Sequence, residues 1–392
     1  MFSSRTRWDL TPNALSTLSA EVQADGRPFF DLTETNPTRA GLEAPREVLS
    51  LLSRPASLAY APDPRGLPAA RAAVAGDFAR RGHRVDPDRV VLTASTSEAY
   101  GFLFKLLCDP GDAVAVPRPS YPLFEYLARL EGATVASYPV RYDGQWHLLR
   151  GEVEAALTDR TRAVVVVSPN NPTGSFLKRD EADALLALCA ERGLALVADE
   201  VFADFALWRD DRRLTSVAGR EEALTFALGG LSKACGLPQL KLAWTAVSGP
   251  AAARDEALAR LEVIADTYLS VGTPVQQALP DLLQALPDLQ APIRARTAAN
   301  LRALREAVRG APTVSLLAPE GGWSAVLRVP ATASEDEWCA RLLREDAVLV
   351  QPGYFFDFEG EAFLVLSLLP REEVFAAGIA RLVARVSAAD VL

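Results

Sequence analysis

The sequence of 392 residues holds only four lysines, at 105, 178, 233 and 241, against 37 arginines. Two of the four fall in one stretch, LGGLSKACGLPQLKLAW, residues 228–244. Wherever a fixed positive charge suffices, this chain uses arginine, so Lys233 and Lys241 raise a chemical question. A neutral lysine amine attacks a carbonyl carbon and forms an imine, whereas a guanidinium stays protonated and does not. Other reactive or polar groups lie upstream: Asn170-Asn171-Pro172-Thr173-Gly174, Asp199-Glu200, and the run TASTSEA at 93–99. Singly, each has a plain structural reading. Asn, Pro and Gly form turns, Asp199 can cap a helix, Ser95 followed by Glu98 fits a capping box, and Lys233 can be a surface lysine.

These groups make one site only if the fold brings them together. Short apolar runs at 89–95, 112–118, 162–168, 194–202, 223–233 and 241–249 read as buried strands. Between them, 97–108, 121–132 and 178–193 have helical spacing, the last closed by Gly193. Such alternation predicts an α/β fold with a largely parallel sheet covered on both faces. Ligands of such sheets gather beyond the carboxyl ends of the strands, and four strands here end in the groups named above. The region from 268 to about 309 reads as helical, and 371–387 as an amphipathic last helix. A second, smaller unit of strands and helices follows 310, and the N-terminal 45 residues are expected to lie against it. The expected division is therefore 46–285 for the large domain, with 1–45 and 286–392 for the small one.

Composition excludes several functions. A net charge of −9 and a pI near 5.1 give no basic field for nucleic acid. The longest uncharged run, 163–177, is broken by Pro169 and Pro172, so no transmembrane span is expected. The first ten residues, MFSSRTRWDL, hold no apolar run of secretory-signal type. Four dispersed cysteines fit reduced thiols of a cytoplasmic protein. With only His83 and His147, far apart, neither a histidine metal site nor a serine–histidine triad is expected, and no metal is assigned.

The joint pattern is specific. SPNNPTG, then ADEVF with its aspartate 28 residues after Asn171, then LSKACGLPQLKLAW with its lysine 34 residues after Asp199, resembles the class I/II aminotransferases of the aspartate aminotransferase fold. YAPDPRGLPAAR at 60–71, LTASTSEA and LVQPGYFF match that pattern too. The resemblance implies a fold-type I architecture, in which a mostly parallel seven-stranded sheet flanked by helices is joined to a smaller α+β domain. It also implies pyridoxal 5'-phosphate as cofactor. Lys233 would hold it as an imine and later shuttle the substrate proton; Asp199 would keep the pyridine nitrogen protonated; Asn171 would bond the phenolic oxygen; Tyr121 would stack on the ring. Ser95, Thr96 and Ser97 would surround the phosphate at a helix start, with Ser232 and Lys241 from the strand that carries Lys233. Lys241 would act as a phosphate clamp. Tyr60 would reach the site of a partner subunit, which implies a homodimer. Asn36 and Arg39 are candidates for substrate binding. The reaction implied is amino transfer from an amino acid to a 2-oxo acid by a ping-pong mechanism.

Four positions depart from the family pattern. Lys241 stands for an arginine, Gly230 for a serine and Phe202 for a tyrosine that helps hold the phenolic oxygen. Val365 stands where an arginine grips the substrate's α-carboxylate. Arg39 and Arg328 are the candidate replacements. These departures leave two alternatives, a lyase or decarboxylase on the same scaffold and a non-catalytic cofactor-binding module.

Overall fold

The computed structural model describes residues 1–360 and 362–388. Its centre is a seven-stranded sheet: β1 (Val90–Thr93), β2 (Ala113–Arg118), β3 (Thr134–Pro139), β4 (Thr161–Val167), β5 (Ala195–Asp199), β6 (Thr225–Gly230) and β7 (Ala243–Ser248). The spatial order is β1-β7-β6-β5-β4-β2-β3. All pairs are parallel except those of β7, which runs antiparallel to both β1 and β6. The alternation of β4 to β6 explains their unbroken apolar sequences. Val164, Val166, Leu196 and Ala198 pack into one layer with Leu185, Leu186 and Leu279, whereas Val165, Val197, Phe226 and Leu228 pack into the other with Phe102, Phe104 and Leu261.

Two elements differ from the sequence reading. β3 is absent from it, because this edge strand is mostly only half-buried and carries no continuous apolar signal. The helical region divides into Ala251–Tyr268, Thr273–Gln284 and Leu286–Arg309. Leu269 breaks the first of these with φ +46°.

A smaller antiparallel sheet is built from β8 (Ser315–Leu317), β9 (Ser324–Arg328), β10 (Gln351–Pro352) and β11 (Phe363–Ser367), in the order β8-β9-β11-β10. Ala325, Leu327, Leu364 and Leu366 point into a second core with Trp338, Phe375 and Ile379. The N-terminal segment joins this core through Leu15, Leu18, Val22 and Leu32, and Phe30–Asp31 pairs in parallel with Val348–Leu349. Val326 and Val365, on the opposite face of the small sheet, pack into the core of the large one. Among the described residues, no helix is long and apolar enough to cross a membrane.

Candidate active site

The carboxyl edge of the large sheet gathers most of the groups the sequence singled out. After β1, Ser95 is the N-cap of α1 (Thr96–Leu107), and its Oγ accepts the Glu98 N–H at 3.1 Å. Glu98 reaches back to the Ala94 N–H at 2.7 Å, one residue before the N-cap. Glu98 and Ala99 thus have acceptors for their N–H groups in Ser95. Those of Thr96 and Ser97 have no acceptor among the described residues and stay available, at the positive end of the helix, to an anion.

Lys233 sits just past β6 in α3 (Leu231–Ala234), a single turn tied to the far side by Leu231 N–H donating to Leu242 O at 3.0 Å. Its Nζ lies 5.5 Å from the Phe202 ring centroid and 5.1 Å from that of Trp323. Among the described residues, no hydrogen bond or ion pair holds this nitrogen. Burial pushes the ammonium below the ordinary lysine range, and the charge of Asp199 opposes the shift only in part. The result favours a free amine, the nucleophilic form.

Asp199 ends β5 and is buried. Its Oδ1 accepts the Val201 N–H at 3.1 Å and its Oδ2 accepts the Tyr100 hydroxyl at 3.2 Å. Burial pushes this carboxyl up to about 6, against those two hydrogen bonds and the charge of Lys233. Neighbouring Glu200 has a different set of partners. It accepts from Ser216 Oγ at 2.6 Å and from the Val217 N–H at 2.7 Å, and burial raises it to about 7.

Asn171 follows β4, with its Oδ1 accepting from Ser324 Oγ at 3.1 Å. The loop that carries it is fixed at Gly174, whose φ is +71° and where a Cβ would stand 2.5 Å from Gly321 O. The Glu320 and Gly321 N–H groups both donate to Gly174 O, so the turn is stitched to the small unit.

The remaining candidates are placed as follows. Tyr121, after β2, is 47% exposed, and Ser120 N–H ties its turn to Phe356 O at 2.9 Å. Ser232 adjoins Lys233 and is half-buried. Lys241 is not on the strand that leads to Lys233. It precedes antiparallel β7, is exposed, and adopts φ +52°. Ala243, two residues on, pairs with both Gly230 and Thr93, which puts Lys241 near the starts of α1 and α3. Tyr60 is not brought to this edge by its own chain; 83% exposed, it lines a groove with Leu92, Phe102 and Leu269. Asn36 is exposed, its Oδ1 accepting the Thr38 N–H. Arg39 is exposed and its Nε pairs with Glu34 at 2.8 Å. Ala40 beside it packs with Phe202 and Trp323, the rings that flank Lys233. Val365 is buried between Val326 and Gln351 and presents no cation. Arg328 lies two residues beyond Val326, exposed at the outer end of β9.

Tyr100, Trp323, Ser324 and Glu34 were not legible as site residues. Tyr100 sits on the apolar stripe of α1, where helical spacing reads it as core. Trp323 carried no local signal beyond two preceding glycines.

A lysine whose ammonium form is disfavoured by burial, near a carboxylate kept from water, suits a carbonyl cofactor with an electron-accepting ring. That chemistry on this sheet defines the pyridoxal-phosphate enzymes of the aspartate aminotransferase fold. Residues 29–377 match the family described as aminotransferase class I and II, and the chain belongs to that family. An alanine aminotransferase of Mycobacterium tuberculosis is 28% identical over 377 residues, covering 93% of this chain and 87% of that protein. An arginine–pyruvate transaminase of Pseudomonas aeruginosa is 32% identical over 312 residues, 78% and 77% of the two chains. The structure of an alanine aminotransferase from Pyrococcus furiosus superposes with a TM-score of 0.88 at 22% identity, over 98% and 99% of the chains. The protein is a pyridoxal-phosphate-dependent aminotransferase. Its residues fit that cofactor: an amine without a partner, a buried carboxylate, and hydroxyls around unpaired N–H groups at a helix start.

Proposed function

We propose that this enzyme moves an amino group from an amino acid to a 2-oxo acid in two half-reactions, with Lys233 as the residue that bonds the cofactor covalently and carries the proton. The observation that carries this reading is the desolvated, partnerless Lys233 amine between Phe202 and Trp323. When bound, pyridoxal phosphate supplies an electron sink for a substrate carbanion. Asp199 holds a proton on the ring nitrogen, and Asn171 donates through its amide to the phenolic oxygen. Tyr121 covers one ring face. Ser95, Thr96, Ser97, Ser232 and Lys241 bind the phosphate, Lys241 as a point charge rather than a fork. With the cofactor bound, Lys233 would be the base that accepts the proton of the substrate's α-carbon.

The large domain in this reading is 46–285, with 1–45 and 286–392 forming the small one. Two copies pair so that Tyr60 reaches the neighbouring phosphate. Exposed Leu58, Tyr60, Tyr268 and Leu269 support such a contact.

Arg39 is the substrate's carboxylate anchor. A carboxylate leaves water only against a paired charge, and Val365 offers none. Glu34 Oε1 is fixed by the Asn36 N–H at 2.8 Å while Oε2 holds Arg39 Nε, leaving both terminal nitrogens of Arg39 to grip a carboxylate. One relative's name carries alanine and the other's pyruvate, the matching 2-oxo acid, so that pair is the first to assay. Mixed with L-alanine and no acceptor, the enzyme is expected to release one pyruvate per site and stop, with the cofactor left in its amine form. Continued release of ammonia with the aldehyde form retained would instead establish a lyase. Arg39→Ala is expected to raise KM for alanine at least tenfold, the loss of about 1.4 kcal/mol or more from a charge-assisted contact. Simple amines should be little affected, and equal effects on amines and amino acids would remove Arg39 from the carboxylate site.

A further inference from the structure

We propose that Tyr100 is a positioning residue for Asp199: its hydroxyl keeps the carboxylate charged and aimed at the cofactor's ring nitrogen. This rests on the aminotransferase reading above. Tyr100 is 3% exposed and lies one turn into α1, directly behind the first-turn donors Thr96 and Ser97. Its hydroxyl donates to Asp199 Oδ2 at 3.2 Å across 99 residues of sequence.

The ring is locked in place. It meets Phe124 edge-on, with centroids 5.4 Å apart and planes at 83°, and Phe104 at 5.8 Å. Phe124 opens α2 (Phe124–Leu130), three residues after Tyr121. One side chain therefore joins the helix start proposed for the phosphate, the acid proposed for the ring nitrogen and the segment proposed to stack on the ring.

The need for such a residue follows from the surroundings of Asp199. Facing its carboxylate are Tyr100 from α1, Lys233 from α3 and, on its own chain segment, Glu200. No cation forms an ion pair with it among the described residues. Two neutral donors, the Val201 N–H and Tyr100, favour its charged form together with the charge of Lys233. With the phenol gone, Oδ2 loses the side-chain donor it has among the described residues, and the balance shifts toward the protonated acid. A protonated Asp199 no longer stabilises a charged ring nitrogen. Tyr100 remains a donor at working pH because burial and the Asp199 charge push its own ionisation well up.

The test is Tyr100→Phe, which keeps the ring packing and removes one oxygen. In the holoenzyme, kcat for the alanine–pyruvate pair is expected to fall ~10- to 100-fold, the equivalent of one hydrogen bond to a charged group. KM should stay within about threefold, because the hydroxyl does not touch substrate. With 15N-labelled cofactor, the ring-nitrogen resonance should move toward its unprotonated position, a change that a packing role does not produce. In an Asp199→Asn background the same substitution should add nothing to the loss in kcat. An unchanged nitrogen resonance, or equal losses in both backgrounds, would overturn the proposal. If Tyr100→Phe folds poorly, Tyr100→Leu and Tyr100→Met also remove the hydroxyl and add no donor, and the same nitrogen readout decides. A wild-type enzyme that performs no half-reaction fails the aminotransferase reading itself. A wild-type enzyme that does, alongside an unaltered Tyr100→Phe, fails this inference alone.

Discussion

Lys178 is buried and Lys233 half-buried, and the protein treats them in opposite ways. At the junction of the two sheets, Lys178 is 4% exposed and donates to Glu320 Oε1 and to Trp146 O, each at 2.8 Å. Glu320 also accepts the Phe176 N–H at 3.0 Å and has Arg213 Nε at 3.5 Å. At the sheet edge, Lys233 has two aromatic rings for company and no acceptor among the described residues. A buried lysine that donates to a carboxylate and a carbonyl is tied into an ion pair, and its role is to hold structure. One without acceptors is driven toward the amine, and its role is chemistry. The difference teaches that burial does not single out Lys233 for the proposed cofactor bond; the lack of an acceptor among the described residues does.

The sharpest way to break this comparison is to remove each lysine in turn. Lys233→Ala is expected to abolish turnover and the visible absorption of the covalently held cofactor, with unfolding in denaturant close to wild type. Lys233→Arg should do the same, since a guanidinium cannot bond the aldehyde. Visible absorption of that kind in either variant would mean that Lys233 is not the residue that binds the cofactor covalently.

Lys178→Met should act in the opposite sense. Breaking a buried pair and leaving its partner uncompensated costs about 3–5 kcal/mol, and Arg213 beside Glu320 places the expectation at the lower end. The loss would appear as a lower denaturant midpoint, with most of the turnover retained. Full stability with lost activity would move Lys178 from structure to chemistry.

The smallest effect tests the cage around Lys233. Phe202→Tyr adds a hydroxyl to a ring 5.5 Å from Nζ, restoring a donor toward the proposed place of the phenolic oxygen. A neutral hydrogen bond of about 0.5–1.5 kcal/mol should lower the pH midpoint of the visible absorption by roughly 0.4–1 unit. No displacement in a spectrophotometric titration would put this ring away from the cofactor's oxygen.

Local pattern carried much of the molecule. The buried strands were legible because each is apolar on both faces, and the proposed site groups stand where such strands end. The edge strand Thr134–Pro139 was not, since a half-buried strand shares its composition with a loop. The antiparallel direction of β7 was not, because strand direction leaves no trace in apolar periodicity. Lys241 was accordingly assigned to the wrong strand.

By itself, the sequence determined the α/β alternation, the family and the cofactor, all of which rest on residue type and short spacing. Only the tertiary structure decided which of the two lysines is left without an acceptor among the described residues, because the partner of Lys178 lies 142 residues away. It alone turned a helix-face tyrosine into a donor to Asp199, and it alone turned Val365 toward the large sheet with no charge to offer a substrate. The physical reason is common to all three. Whether a group ionises, donates or merely packs is set by the atoms that surround it once water is excluded, and those atoms come from distant parts of the chain.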